Sequence, residues 1–282
     1  MKDRDDAKRL HILTSYAYWQ TDKEIELLHS FPSEWNVMLD SGAFTNFTHG
    51  GDVVTLEGYA NYCKLNEGRF WRIINFDRIG DHELSKKNLF ALRDKGIEAI
   101  PVFQRGDTLS SLVEMGEIAS PVCIGGISQN TSASAEKNYL ANTMRAVRSL
   151  GIKAHLLGVG GDQMIHYRAW SADNSSWILP MRWGRLRLWV LGKVITIARG
   201  DLAANPTANV SRALRAYGLT LAETMDRENW KPGRSVAIAG VRSWMRRARA
   251  ISNIDSRYVF AMTPPAYPSL RAAWELEKSN WT

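Results

Sequence analysis

Cysteine is scarce in this chain: among 282 residues only Cys63 and Cys123 occur, and they form no close pair. A disulfide framework and a cysteine-rich zinc site are therefore not expected. All six histidines lie at or before His166, so the remainder of the chain offers no Cys or His metal ligand. Long apolar runs are missing too. Nothing approaches the roughly 20 uninterrupted apolar residues of a membrane-spanning helix. The N-terminal stretch Met-Lys-Asp-Arg-Asp-Asp-Ala-Lys-Arg9 is charged and leads into no signal-type apolar core. The expectation is a soluble, cytoplasmic protein with no membrane partner. No internal repeat or low-complexity tract is visible.

At 45% hydrophobic and 23% charged residues the chain has a globular composition. The length suits one large domain, or a barrel with small appendages. Strand-like apolar runs read at 11–18, 35–39, 70–76, 99–103, 122–127, 154–159 and about 169–172. Helix-like stretches near 22–30, 56–67, 83–95, 108–117, 134–149 and 161–167 separate them. In 134–149, Tyr139, Leu140, Met144 and Val147 repeat with the spacing of an amphipathic helix. Such alternation predicts a parallel sheet covered by helices.

An open doubly wound sheet and a closed barrel share this pattern. Polar, chemically capable residues follow nearly every run: Asp40, Asp77, Gln104, Gly125–Gly126, Gly158–Gly160 and Asp173. Strand ends of a TIM barrel converge on one mouth, where that fold keeps its active site. The expected fold is therefore a TIM-type (β/α)8 barrel forming a single domain over 1–282. A basic β-hairpin insertion is expected at about 178–202, with strands 185–190 and 193–198 around Leu191–Gly192. A helical C-terminal part is expected over about 203–282, with helices near 207–217, 235–251 and 268–278. Asn205-Pro206, Lys231-Pro-Gly233 and Thr263-Pro-Pro265 punctuate them.

Charge is unevenly placed. Residues 178–282 hold 17 Lys and Arg against 7 Asp and Glu, whereas residues 1–177 hold 19 against 22. A solvated basic surface would explain the totals alone. Local density favours a nucleic-acid groove. Arg182, Arg185 and Arg187 interleave with Trp183 and Trp189, and Arg242, Arg246, Arg247 and Arg249 crowd one helix. Arginines suit phosphates and aromatics suit stacked bases.

Taken singly, the candidate site residues have ordinary readings. Asp40-Ser-Gly-Ala-Phe44 is also turn chemistry. Gln104 could read a base edge or satisfy backbone. His155-Leu-Leu-Gly-Val-Gly-Gly161 departs from Gly-x-Gly-x-x-Gly, so it supports no dinucleotide site. Asp173 could cap a helix.

In order along the chain, the same motifs resemble those of the queuine/archaeosine (tRNA-guanine) transglycosylase superfamily, over about Asp40 to Arg185. Asp40-Ser-Gly-Ala-Phe44 resembles its Asp-Ser-Gly-Gly-aromatic motif, implying Asp40 as general acid/base, with Ser41 and Phe44 at the base. Phe76-Asp77 is similar to the carboxylate that recognises a guanine-type edge. Phe103-Gln-Arg-Gly106 resembles Val-Gln-Gly-Gly, giving Gln104 a base contact. Ile124-Gly-Gly-Ile127 resembles Ile-Gly-Gly-Leu, placing Gly125 and Gly126 against the heterocycle. Leu156-Leu-Gly-Val-Gly160 is similar to Leu-Met-Gly-Val-Gly, placing Leu157 and Gly158 on the pocket wall. Asp173 falls where the family carries its nucleophile, and Pro180-Met-Arg182 echoes a Pro-Thr-Arg.

The family's tRNA enzymes carry a zinc site beyond the nucleophile, which this chain cannot build. The resemblance thus implies no zinc and no other cofactor. The context Ala-Asp173-Asn-Ser-Ser-Trp177 resembles the Val-Asp-Ser-x-Ser-Trp of phage-type DNA-modifying relatives. It implies exchange of guanine in DNA, rather than tRNA, for a free 7-deazaguanine such as preQ0 or a derivative. The compartment would be the host cytoplasm if the chain is phage-encoded. The alternatives are a tRNA-guanine exchanger, a hydrolytic glycosylase and a non-catalytic nucleic-acid-binding subunit, and a homodimer stays open.

Overall fold

A computed structural model describes residues 8–49, 53–127, 132–199, 207–252 and 256–281. The chain divides into two compact units. The described residues of the first are 9–49, 53–127, 132–174 and 256–261, and those of the second are Lys8, 175–199, 207–252 and 262–281.

In the first unit, strands β1 (Leu10–Ser15), β2 (Trp35–Asp40), β3 (Arg72–Ile74), β4 (Ala99–Ile100), β5 (Val102–Phe103), β6 (Val122–Ile124), β7 (Ala154–Leu156), β8 (Ser171–Asn174) and β11 (Arg257–Met262) form one sheet. Helices α1 (Asp22–His29), α2 (Ala43–His49), α3 (Leu56–Leu65), α4 (His82–Asp94), α5 (Leu109–Ile118), α6 (Ala133–Ser149) and α7 (Gly161–Tyr167) alternate with its strands. The sheet order is β4-β3-β2-β1-β11-β8-β7-β6-β5, and the paired strands run parallel. Its two ends, β4 and β5, are consecutive pieces of one extended segment interrupted at Pro101. Proline has no N–H to give a ladder; its carbonyl accepts from the Cys123 N–H at 2.9 Å. The sheet is therefore nearly closed and barrel-like, consistent with a TIM-type barrel.

Burial explains the composition of these strands. β1 and β2 are covered along almost their whole length, so they read as continuous apolar runs rather than alternating ones. Leu13, Met38, Ile74, Ile100, Val102, Cys123 and Val259, drawn from seven strands, form one buried cluster. Each large member contributes about 1.5–3 kcal/mol by leaving water. The helices start where side chains satisfy free N–H groups: Thr21 in a capping box, then Thr55, Asp81, Thr108 and Ser132.

Three sequence expectations change here. The first strand stops at Ser15, and Tyr16–Tyr18 form a 3-10 turn. There the Tyr16 ring packs on Tyr59 and Tyr62, with centroids 5.6 and 5.2 Å apart. Ala43–His49, where the sequence suggests no regular element, is helical. The C-terminal part is not purely helical: Arg257–Met262 is β11, paired with β8 from Arg257↔Ser171 to Phe260↔Asn174.

The second unit holds α8 (Leu179–Trp183), the antiparallel hairpin β9 (Arg185–Val190) and β10 (Lys193–Ala198), then α9 (Ala208–Ala216), α10 (Leu221–Met225), α11 (Ser235–Ser252) and α12 (Tyr267–Glu277). The expected hairpin is present, and its turn residues Leu191 and Gly192 both have positive φ, 50° and 76°. That is the twist a two-residue hairpin turn needs. Residues 200–206, where the expected insertion ends, lie outside the described residues. Leu186, Leu188 and Ile197 of the hairpin pack with Leu214, Tyr217, Trp230 and Val236 in this unit's own core. Among the described residues no helix is long and apolar enough to cross a membrane.

Candidate active site

The strand register brings the segments that follow β2, β3, β5, β6 and β7 to one end of the sheet. Pairing of β1 with β2 ends at Ser15↔Asp40, and pairing of β11 with β8 sets Val259 beside Asp173. Beyond these ends lies a cavity of about 370 Å3, lined by Leu13, Asp40, Ala43, Phe44, Asp77, Ile79, Gln104, Gly125, Gly126, Ile127, Leu157, Gly158 and Asp173. Of the residues expected at the chemistry or the base, nine line this one space. Ser41 alone does not line it: its side chain is buried and its Oγ accepts from the Ala43 N–H at 3.4 Å.

Asp40 is held by the turn that follows it. The Gly42 N–H donates to Oδ2 at 3.0 Å. Gly42 adopts φ +84°, and a Cβ there would lie 2.8 Å from the Ala17 Cβ, so glycine is required. Burial pushes the Asp40 carboxyl above its ordinary value, and the charge of Asp173 pushes the same way. Hydrogen bonds from Ser15, Gly42 and Ser41 oppose the rise.

Asp77 is more strongly perturbed. Burial first, then the neighbouring charges of Asp40 and Asp107, raise it to about 7 against hydrogen bonds from its own backbone and Gln104. Near neutral pH it is therefore shared between acid and carboxylate. The Gln104 amide donates Nε2–H to Asp77 Oδ2. Its Oε1 accepts from the Gly80 N–H at 3.2 Å, which fixes the orientation of the amide.

Asp173 lies on β8 and is only 6% exposed. The Gly158 N–H donates to its Oδ1 at 3.1 Å. The fully buried His155 places Nε2 3.3 Å from the same oxygen, an ion-pair distance without hydrogen-bond alignment. His155 Nδ1 is 2.7 Å from Ser171 Oγ. Oδ1 is thus anchored between the Gly158 N–H and the His155 ring. His155 was not singled out as a site residue from sequence. A signal was present, because the histidine lies three residues before Gly158 on the strand expected beside the one carrying Asp173.

The apolar walls suit a flat ring. A Cβ on Gly125 would meet Val102 Cγ1 at 3.2 Å and Leu157 Cδ1 at 3.6 Å, so glycine keeps this wall thin. The Tyr139 hydroxyl donates to the Gly125 carbonyl at 3.0 Å and holds it. Phe44, 59% exposed, stands at the rim. Leu13, Ala43, Ile79 and Ile127 complete the lining and were not anticipated; no polar signal marks such residues.

The arginines expected at nucleic acid belong to the second unit. Arg182 and Arg185 are exposed, and Arg187 shares one face of the hairpin with Arg185. Arg242 and Arg246 have partners within that unit. Each approaches the buried Glu277 carboxylate at 2.9 Å, and Arg246 stacks over Tyr217. Arg247 lies over the Trp244 ring. Among the described residues no three His, Cys, Asp or Glu side chains converge as a metal site. No family model matches the chain, and no curated protein matches it by sequence.

Proposed function

We propose that this chain is a base-exchanging transglycosylase, a pentosyltransferase that replaces guanine in nucleic acid, in DNA by preference, with a 7-deazaguanine such as preQ0 or a derivative. Counting β4 and β5 as one strand, we read the scaffold as a (β/α)8 barrel of the TIM type. The observation that carries the reading is that two carboxylates far apart in sequence, Asp40 and Asp173, line one cavity beside Asp77 and Gln104.

The chemistry follows from those positions. Asp173 Oδ2 attacks C1′ of the nucleotide, the C1′–N9 bond breaks, and guanine departs with the bonding electrons and takes up a proton from Asp40, which is left as the carboxylate. Displacement at such a carbon passes through an oxocarbenium-like state that a carboxylate captures as an ester. The Gly158 N–H and His155 keep Asp173 aimed. Asp40 then takes the N9 proton of the incoming deazapurine, N9 attacks C1′, and the bond to Asp173 breaks. Asp40's raised proton affinity suits a group that must hold a proton between steps. Ionised Asp77 and the Gln104 amide face the hydrogen-bonding edge of the heterocycle. A cavity of about 370 Å3 accommodates one base and its sugar. The nucleotide must leave a duplex stack to enter, at a cost of a few kcal/mol.

The test is trapping. Incubation with an oligodeoxynucleotide should give a covalent adduct with the wild type and none with Asp173→Ala. Adducts with tRNA alone would move the substrate to RNA, and accumulation of abasic sites without exchange would make the enzyme a hydrolase. Unaltered function in Asp173→Asn would reduce it to a binding subunit.

A further inference from the structure

A second cavity of about 150 Å3 shares Gln104 with the first and is lined by the loops that follow β3 and β5. At about 30 Å3 per water it has room for about five waters, enough for one tetrahedral anion with part of its shell. Its lining includes the cations Arg78 and Arg105, the imidazole of His82 and the carboxylate of Asp107. Asp107 is turned to its own loop, accepting from the Gln104 N–H through Oδ2 at 2.8 Å, and its Oδ1 lies 3.4 Å from His82 Nδ1. The remaining charge is positive.

Arg105 is the informative residue. Its Nε and Nη2 are buried, and neither has a hydrogen-bond partner among the described residues. A guanidinium stacks over the Tyr139 ring with Cζ 4.8 Å from the centroid, which fixes its plane. Buried charged donors without acceptors are costly and uncommon. Arg105 lines the cavity, and a planar guanidinium held in place by a ring is suited to an oxyanion that accepts two parallel hydrogen bonds.

We propose that this second cavity is an oxyanion subsite that takes a phosphate group on Arg105, with His82 beside it. That the phosphate is a phosphodiester of the strand undergoing exchange rests on the function proposed above. In that setting Gln104 is shared by the two cavities, one taking the heterocycle and the other the phosphate of the same strand. Tyr139 couples the two, because its ring carries Arg105 and its hydroxyl holds the Gly125 carbonyl.

The experiment uses the full chain as wild type, Arg105→Gln and Arg105→Lys. Inorganic phosphate, titrated at constant ionic strength against chloride, should raise the thermal midpoint of the wild type, leave Arg105→Gln unmoved and act partly on Arg105→Lys. With a single-stranded oligodeoxynucleotide, Arg105→Gln should weaken binding about tenfold. Its slope of log affinity against log salt should be shallower by about 0.7, the value for one phosphate contact. An equal phosphate response in wild type and Arg105→Gln, or weaker strand binding with an unchanged salt slope, overturns the proposal. Should Arg105→Gln not fold, the wild-type arginine Nε–H resonances carry the question: phosphate must shift one of them and chloride must not. The two proposals separate cleanly. A phosphate response through Arg105 without any Asp173 adduct keeps the subsite, with free phosphate as its ligand, and discards the transglycosylase. An adduct without that response does the reverse.

Discussion

Replacing Asp77 by Asn should make the protein more stable as the pH rises. The Asp77 carboxyl has an ordinary value of 3.8 and is raised to about 7 in the folded chain, chiefly by burial. A carboxyl raised on folding holds its proton in the native state after the unfolded chain has released it. Its contribution is fully present below about pH 4 and is lost as the pH climbs to about 7. Each pH unit in that window removes about 1.4 kcal/mol, so the limit is roughly 4 kcal/mol. Screening by water in an open cavity makes about 2 kcal/mol a sound expectation. Asn keeps an oxygen to accept from Gln104 and carries no charge, so its stability lacks this fall. Urea unfolding at pH 4.5, 6 and 8 should show the variant's advantage growing with pH and levelling above 7. Parallel curves at all three values would refute the assignment of a displaced proton to Asp77. On the proposed function, a guanine-type edge donating to the carboxylate should show the matching trend. Its affinity should fall about tenfold for each pH unit below 7.

Two further outcomes follow from the same geometry. His155→Gln should slow adduct formation by roughly ten- to a hundredfold, the range for losing a group that orients a reacting one, while binding of the free base, read by calorimetry, holds. Equal loss of both would reduce His155 to a packing role. In the second unit, Glu277→Gln leaves Arg242 and Arg246 facing a neutral amide, and thermal unfolding should register a loss of about 3–5 kcal/mol. A shift under about 1 kcal/mol would mean that solvent already compensates those guanidinium groups.

Asp40, Asp77, Gln104 and Asp173 were legible because each ends or follows a short apolar run, and the barrel-like sheet gathers such ends. β11 was not read, although Arg257-Tyr-Val-Phe-Ala-Met262 is apolar and as long as β1. It follows an 18-residue helix and precedes two prolines, so it was absorbed into a helical tail. Ala43–His49 hid for the opposite reason. Its threonines and asparagine favour turns, and its helix is fixed by tertiary contacts such as Asn46, whose side chain exchanges two hydrogen bonds with the Val54 backbone. The arginines of α11 illustrate a limit of counting charge. Arg242 and Arg246 look like a docking patch in sequence, yet Glu277, more than 30 positions later, neutralises part of them. Arg105 and Tyr139 are equally remote in the chain, and only the return of α6 across the loop stacks one on the other.

The position of β11 in the sheet governs how this chain must be made. β11 sits between β1 and β8, the first and last strands of the continuous segment, yet some 80 residues of another unit intervene before it emerges. Until Arg257–Met262 leave the ribosome, both neighbours present bare backbone donors and acceptors, the kind of edge that recruits foreign strands. The second unit is therefore also a delay, during which an incomplete ring must be protected from its own kind.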